Sequence, residues 1–267
     1  MKLIRVFVIM GVVVLSLGIV LCAVGFALGG AVRGIRIGNI EFTIGGWWAR
    51  GDSQPNYIND FAGLDPRDVV ALNIDITVAK VTVERGETFA VYGTNVPSGM
   101  TAHVKDGTLY VKENGGTRRY SFSLFSGNPG PRITVTVPYG AAFTLIDADI
   151  AAGSLTITGI AADYLRAKVS AGSINIKNAV LGGCKLTCSA GSIDLTGVIT
   201  GDSDLSCSAG SIDISLDGDV RDYRFNTNVS AGSIRINNNN PGAYSGYNGK
   251  YLMTLQCSAG SITVNIK

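Results

Sequence analysis

The sequence predicts an all-β fold, a single-stranded β-solenoid (β-helix-like) of about seven repeats with a hairpin insertion, preceded by one N-terminal transmembrane helix. Three observations predict it: a short motif that recurs at nearly constant spacing, alternation of apolar and polar residues on both sides of that motif, and an apolar run near the N-terminus. In a solenoid, each repeat buries its apolar face only by stacking on its neighbours.

The motif Ser-Ala-Gly-Ser-Ile-x-Ile organises the second half of the chain. Successive copies lie 19, 19, 19, 22 and 28 residues apart, so the motif recurs with a nearly regular period and not at random positions. A catalytic serine does not recur in every repeat, so these serines are interpreted as structural. The copies begin at Ala151 (a variant with Leu and Thr), Ser170, Ser189, Ser208, Ser230 and Ser258.

Apolar residues occupy every second position on either side of the motif. Ala167 and Val169 precede the copy at Ser170, for example, and Ile174 and Ile176 follow it. A period of two is typical of β-strands whose alternate side chains face a core. Each repeat is therefore predicted to be a strand, a corner and a second strand.

The alternation changes phase within the motif. If the residue before the motif points inward, then the motif alanine should also point inward, and one extra residue must be absorbed at Gly-Ser before the next inward isoleucine. Glycine tolerates the dihedral angles that such a bulge or corner needs. The predicted corner glycines are Gly153, Gly172, Gly191, Gly210, Gly232 and Gly260.

The alternating pattern of the repeats begins before the first recognisable copy of the motif. Residues 72–83 place apolar side chains at the positions of a degenerate first copy, and an atypical terminal unit is expected in a stacked array. An insertion over residues 84–145 contains alternating segments and an Asp106-Gly107 turn signal. The predicted domains are a membrane anchor over 1–36, a tether over 37–70 and the solenoid over 71–267.

The N-terminal run from Val6 to Leu28 is apolar for 23 residues and is flanked by basic residues. This length favours an uncleaved single-pass anchor in the cell membrane, with the β-domain on the extracytoplasmic side. Cleavage of a signal peptide after Gly29 is the alternative. A lipoprotein at Cys22 is disfavoured because the bulky Leu21 precedes it.

Charge excludes nucleic-acid binding as a function class. The chain has a net charge of +2, but four of its 22 basic residues lie in residues 1–36. The remainder holds 18 basic and 20 acidic residues, a net charge of −2. A nucleic-acid-binding protein instead concentrates basic residues on one face.

The sequence predicts no cofactor and no metal site. Cys184 and Cys188 lie about 13 Å apart along one strand, and Cys188 and Cys207 are predicted to stack in one inward column as free, buried thiols. His103 has no visible catalytic partner, which argues against a histidine-based dyad. The neighbouring carboxylates Asp194 and Asp213 occupy a column that varies between repeats, as solvated surface does.

One segment of the insertion combines basic and aromatic residues between glycine-rich stretches. We expect it to form a loop or an edge hairpin that grips an anionic partner through arginine charge and aromatic contact. The alternative is an edge strand protected by charge, with its aromatic residues turned into the core. The predicted binding residues are Arg118, Arg119, Tyr120, Phe122 and Phe125.

These features together resemble a known family. An N-terminal membrane segment, the segment from Ile74 to Val83, the strand end from Thr136 to Gly140 and the iterated Ala-Gly-Ser-Ile-x-Ile units are similar to the bacterial putative-adhesin family of membrane-anchored β-strand-repeat proteins, a domain of unknown function. The resemblance covers roughly residues 70–267. It implies a surface-exposed protein of the bacterial envelope and carries over no catalytic residue.

Three functions follow as hypotheses. The first is a non-catalytic module that binds or senses a cell-wall polymer, an anionic lipid or another envelope protein, in the manner of an adhesin. The second is a structural scaffold that self-associates through the exposed strand edge of the C-terminal repeat. The third is a polysaccharide-processing enzyme, which is disfavoured because the sequence offers no convergent acid and base.

Overall fold

A computed structural model describes residues 35–37, 40–44, 56–61, 64–96, 100–113, 118–122, 130–244 and 246–267. Within these ranges the elements are strands and three short 3-10 turns, Pro66–Asp68, Val220–Asp222 and Pro241–Tyr244, which confirms the all-β class. The strands are β1 (Ile35–Ile37), β2 (Ile40–Ile44), β3 (Asn56–Asp60), β4 (Ala71–Gly86), β5 (Ala90–Thr94), β6 (Met100–Lys105), β7 (Thr108–Glu113), β8 (Arg118–Phe122), β9 (Arg132–Pro138), β10 (Phe143–Thr158), β11 (Ala161–Ile199), β12 (Ser203–Leu216), β13 (Tyr223–Ile236) and β14 (Tyr251–Ile266).

The predicted transmembrane run from Val6 to Leu28 lies outside the described residues. Across the part of the chain that is described, no helix combines the length and the apolar character that crossing a bilayer requires. The described strands fall into two compact units, a small first unit of β1, β2 and β8 and a second unit of the remaining strands. In the first unit, β2 pairs antiparallel with β1 and parallel with β8.

The second unit contains the predicted stack of repeats. β4, β10, β12, β13 and β14 each form one rung, and β11 forms two, at residues 161–178 and 179–199, so the described chain holds seven rungs. Adjacent rungs are parallel and in register, with each motif residue beside the same residue of the next copy. This arrangement confirms the solenoid-like stacking that the repeat period predicts.

The interior of the stack is apolar, as the alternating pattern predicts. The apolar inward side chains before and after the corner are at most 1% exposed in the second to fifth copies. Burial of each leucine or isoleucine side chain contributes about 1.5–3 kcal/mol, so these columns hold the rungs together. They include Ile146, Ile150, Leu155, Ile157, Leu165, Val169, Ile174, Ile176, Leu186, Ile193, Leu195, Leu205, Ile212 and Ile214.

The last two copies stack out of sequence order. β14 pairs with β12 on one side and with β13 on the other, so β13 occupies the end of the stack. The backbone of Lys267 also bonds to neighbouring residues, donating to Leu216 and accepting from Gly218. β14 is therefore paired on both of its edges, contrary to the exposed edge predicted for the C-terminal repeat. Self-association of the chain stays a prediction. Because the copies share one motif, either β13 or β14 could pair in register with β12. The 14 residues between β13 and β14 are long enough for the chain to pass beyond the position of β14 and return to it.

The insertion closes the other end of the stack. β7 and then β6 extend the first half of β4, whereas β9, β5 and β3 extend its second half. The predicted Asp106-Gly107 turn joins β6 to β7, and both turn residues have positive φ, as a two-residue hairpin turn requires. The degenerate first copy is confirmed, since β4 forms a complete rung.

The corner differs from the predicted one. In the fourth copy Cys188 is buried, but Ser189, Ala190 and Gly191 are all exposed, and the next buried side chain is that of Ile193. The motif alanine therefore points outward, contrary to the prediction. The reason is that the chain turns over the whole Ser-Ala-Gly segment: strand pairing skips the first serine, so the phase changes before the glycine and not at Gly-Ser.

Close approach of successive rungs explains the corner glycines. A Cβ atom added to Gly191 would lie 1.6 Å from the carbonyl oxygen of Gly172, and the other motif glycines meet the rung beside them at 1.6–1.9 Å. Their φ angles of 129–139° also favour glycine. All six predicted corner glycines therefore occupy positions that reject a side chain.

The first rung has Ala79 in place of the glycine. The corner of the first rung has no described strand before it, because β7 ends at Glu113 and β9 begins at Arg132. A carboxylate oxygen of Glu113 instead accepts a hydrogen bond from the backbone N–H of Thr77, at 3.3 Å. Alanine is thus accommodated where no neighbouring carbonyl occupies the site of the Cβ atom.

Gly191→Ala should destabilise the protein by about 3 kcal/mol or more, because it combines an unfavourable φ with a backbone clash. Gly242→Ala is the matched control, since its added Cβ atom meets nothing within 4 Å. Urea denaturation of the two variants and the parent chain measures the difference. Equal stability of the two variants would contradict the close-packed corner.

Candidate binding surface

The predicted binding segment forms an edge strand of the small unit. Arg118, Arg119, Tyr120 and Phe122 belong to β8, which pairs in parallel register with β2 from Ile40–Arg118 to Ile44–Phe122. The side chains of β8 are outside the described part of the structure, as is Phe125 altogether. Whether this segment binds a partner stays a prediction.

A second surface emerges from the stack itself. We define the front face as the outward side chains two, four and six positions before each motif. Strand pairing places equivalent positions side by side, so the face is a grid of residues separated by about 4.8 Å between rungs. In spatial order the rows are Ala71, Asn73, Asp75; Leu145, Asp147, Asp149; Tyr164, Arg166, Lys168; Gly183, Lys185, Thr187; Asp202, Asp204, Ser206; Leu252, Thr254, Gln256; and Arg224, Asn226, Asn228.

Opposite charges meet on the front face at two boundaries between neighbouring rungs. Three ion pairs each join residues 19 apart, which is one rung: Arg166 with Asp147 at 3.4 Å, Lys168 with Asp149 at 3.3 Å, and Lys185 with Asp204 at 2.8 Å. The three cationic side chains are 50–55% exposed. Such exposed pairs contribute only about 0–1 kcal/mol to stability. The fold does not depend on them, so these groups are available to a ligand.

The hydrogen bond from Lys185 to Asp204 raises the pKa of the Lys185 ammonium group, and the charge of Asp204 acts in the same direction. Lys185 therefore stays protonated at neutral pH. Tyr164 lies over the neighbouring Gly183, where an added Cβ atom would approach the ring to 3.3 Å. An aromatic ring and cationic groups thus share adjacent rungs of the front face.

Aromatic residues extend the front face onto the insertion. Tyr110 of β7 neighbours Asn73, and His103 of β6 stacks on Tyr110 with ring centroids 5.3 Å apart. The ammonium group of Lys112 lies 4.5 Å from the centroid of the Tyr110 ring. His103 is therefore an outward-facing aromatic neighbour of a tyrosine, and this contact gives it no acid–base partner.

The cysteines behave as the sequence predicts. Cys188, Cys207 and Cys257 are neighbours in one buried column, and all are free thiols, as is Cys184. The Cys188 thiol donates to the carbonyl oxygen of Gly172 at 3.6 Å. Burial raises the pKa of both Cys184 and Cys207 to about 11. Thiolate is the reactive form, so these groups are poorly suited to redox or nucleophilic chemistry.

The carboxylates Asp194 and Asp213 are neighbours on adjacent rungs, as the repeat alignment predicts. Both are exposed, and the hydroxyl of Ser192 donates weakly to Asp194 at 3.5 Å. Across the described residues, no group of three or more histidine, cysteine, aspartate or glutamate side chains is arranged to hold a metal ion. The arrangement is that of a solvated surface.

The fold and the repeat motif can be compared with known proteins. The sequence family described as Toastrack DUF4097 matches residues 69–244, which are 176 of the 267 residues. The chain belongs to the Toastrack DUF4097 family. The match covers the stack from its first rung to the turn after β13, in agreement with the resemblance to a family of putative adhesins of unknown function. No curated protein sequence matches the chain.

Solved structures with a remote likeness include three crystal structures. A putative cell adhesion protein from Clostridium sporogenes is 12% identical, over 80% of this chain and 100% of its own, with a TM-score of 0.35. A putative adhesin from Parabacteroides merdae is 15% identical, over 85% and 99%, with a TM-score of 0.34. A putative adhesin from Bacteroides fragilis is 12% identical, over 79% and 95%, with a TM-score of 0.29. Likeness at this level says nothing of the ligand.

The front face was not predicted from the sequence as a candidate surface. The polar residues between the apolar ones are regular in sequence, and the 19-residue period places Asp147 beside Arg166 and Lys185 beside Asp204. That signal was available in the repeat spacing. The stacking of His103 on Tyr110 could not be predicted from the repeat spacing, because it depends on how β6 and β7 join the first rung.

The buried thiols should resist alkylation in the native protein. In a chain carrying Cys22→Ser, we expect fewer than one of the four remaining thiols to react with a maleimide within an hour at pH 8, because burial and a raised pKa both suppress the thiolate. All four should react in guanidinium chloride. Rapid labelling of the native chain, quantified by mass spectrometry, would argue against a closed core.

Proposed function

We propose that the chain is a non-catalytic binding protein of the bacterial envelope, anchored in the membrane by its N-terminal segment, and that the front face contacts a cell-wall polymer outside the cell. The observation that carries the proposal is the set of half-exposed cations, Arg166, Lys168 and Lys185, which sit beside carboxylates on a rigid grid. A regular grid suits a ligand whose polar groups also repeat.

The mixed charge of the face favours a polymer over a lipid surface. The front face carries five acidic groups and four basic groups, so the acidic groups are in slight excess. The acidic residues are Asp75, Asp147, Asp149, Asp202 and Asp204, and the basic residues are Arg166, Lys168, Lys185 and Arg224. An anionic bilayer attracts a surface with excess positive charge. A polymer that carries hydroxyl groups with charges of either sign can instead hydrogen-bond to both kinds of side chain.

Rigidity supports the same assignment. Except for β13, the strands under the front face pair on both sides and their inward residues are buried in the core. The Cα and Cβ atoms of their outward residues therefore hold fixed positions. Binding then costs little ordering of the protein backbone, which favours association with an extended ligand. A catalytic function lacks support of this kind, because Asp194 and Asp213 are exposed and, among the described residues, belong to no metal-binding group of histidine, cysteine, aspartate or glutamate.

The proposal assigns a second contact to β8. Arg118 and Arg119 on this strand, with Tyr120, Phe122 and Phe125 in the same segment, combine positive charge with aromatic rings, as binding sites for anionic groups do. This contact belongs to the small unit and is independent of the front face in the test.

Replacing Arg166 and Lys185 by alanine should lower retention on purified cell-wall fractions at least about fivefold, because two charge-assisted contacts of about 0.5–1.5 kcal/mol each are lost. The control is Lys80→Ala with Lys177→Ala, which removes two exposed cations after the corner instead of before it. Co-sedimentation of the full chain in detergent measures retention. Equal retention of both double variants would remove the front face from the proposal.

Replacing Arg118 and Arg119 by alanine tests β8 separately. If the strand contributes, retention falls and the dependence on salt weakens, because fewer ionic contacts remain to be screened. Vesicles with and without anionic lipid serve as the comparison surface. Retention unchanged on both wall fractions and vesicles would discard β8 as a contact.

A further inference from the structure

The end of the stack at β13 presents an incompletely covered edge. Among the described strands, β13 pairs only with β14, and its outer edge is bridged at one residue, Ile236, by Asn239. An edge of this kind exposes backbone groups that another extended chain can pair with.

Side chains that face inward on other rungs are partly exposed on β13. Phe225, Val229 and Ile234 are all half-buried, whereas their neighbours on β14, which are Met253, Cys257 and Ile262, are at most 2% exposed. The difference arises because no further described rung covers β13. The outer side of β13 is therefore less completely covered than the other rungs.

The loop after β13 covers both ends of this edge and leaves the centre bare. Tyr244 is buried and packs edge-on against Phe225, with ring centroids 6.0 Å apart, while Asn239 blocks Ile236. Among the described residues, no strand or bridge pairs with the outer edge of residues 226–235. One extended segment of about ten residues matches this edge in length.

The charge on β13 selects the chemistry of that segment. β13 contains Arg224 and Arg235 and no acidic residue, although β4, β10, β11 and β12 each contain at least one. Positive charge with no compensating acid in the strand favours a partner that brings carboxylates. Asn226 and Asn228 add neutral groups that can hydrogen-bond to them.

The same charge opposes pairing between copies of this chain. Two β13 strands in antiparallel register place Arg224 of one copy near Arg235 of the other. The opposite end of the stack has two outer strands: β6 carries His103 and Lys105 and no acid, whereas β3 carries Asp60 as its one charge. Charge therefore opposes head-to-tail stacking through β6. The charges therefore favour a segment of another protein over a second copy.

We propose that the outer edge of β13 is a strand-acceptor site for an extended, acidic segment of another protein. The segment would continue the stack as an additional parallel rung, with apolar side chains over Val229 and Ile234 and a carboxylate beside Arg235. The proposed contacts are the backbone edge of β13 with Val229, Ile234 and Arg235, none of which is a front-face side chain, and the test does not depend on wall binding.

The chain itself supplies a probe of the required chemistry. In the common register, residues 204–213 of β12 correspond to residues 226–235 of β13. A synthetic peptide with that sequence and Cys207→Val therefore places valine over Val229, isoleucine over Ile234 and its last aspartate beside Arg235. The peptide ends before Asn239.

The experiment measures binding of the fluorescent peptide to the full chain in detergent micelles by anisotropy, with hydrogen exchange to locate it. We expect saturable binding, protection within residues 226–235, and a loss of at least about tenfold with Arg235→Glu. A peptide with lysine in place of its last aspartate should restore binding to that variant. Lys177→Glu, on another strand, is the control and should bind the original peptide normally.

Three outcomes would overturn the proposal: no binding at 1 mM peptide, protection that maps outside β13, or Arg235→Glu binding as well as the parent chain. Analytical sedimentation of the chain without peptide tests whether a second copy, instead of another protein, occupies the edge of β13. A dimer whose contact maps to β13 by hydrogen exchange would make a second copy the occupant and contradict the choice of an acidic partner.

Discussion

Contact between the backbone of one rung and the glycine of the next is the constraint on which the structure depends. The carbonyl oxygen of each corner lies where a Cβ atom of the following corner would be, so only a residue without a side chain fits. A shift of the register by one residue would bring alanine or serine under that oxygen. The glycine column therefore fixes the register of the whole stack, and the apolar columns then supply most of its stability.

Much of the fold could be predicted because these requirements leave marks in the sequence. Alternating apolar residues around Ser170 and Ser189 identify strands, and the recurring glycine identifies the corner between them. The order of the last two rungs could not be predicted, because copies with the same motif are interchangeable neighbours. The outward orientation of Ala190 was also hidden, since a small apolar residue is compatible with either side of a corner.

The surface was less accessible to sequence reasoning than the core. Pairing of Lys185 with Asp204 follows from the 19-residue period once the rungs are known to be in register. The stacking of His103 on Tyr110 does not, because it requires the hairpin of the insertion to join the first rung. A local cluster of charged and aromatic residues, such as Arg118 to Phe125, is recognisable in a sequence. Polar residues that form a grid only after the repeats stack are not. The front face becomes a regular array of polar and charged side chains only because the repeats stack in register.

The placement of β14 between β12 and β13 has a consequence for biogenesis. A polypeptide that emerges in sequence order delivers β13 before the layer that separates it from β12. Until β14 arrives, the chain must either hold β13 apart or pair it with the wrong neighbour. β14 must then insert between β12 and β13 instead of adding to the end of the stack. Slow synthesis of the residues of β14 would therefore prolong an intermediate in which β13 is wrongly paired.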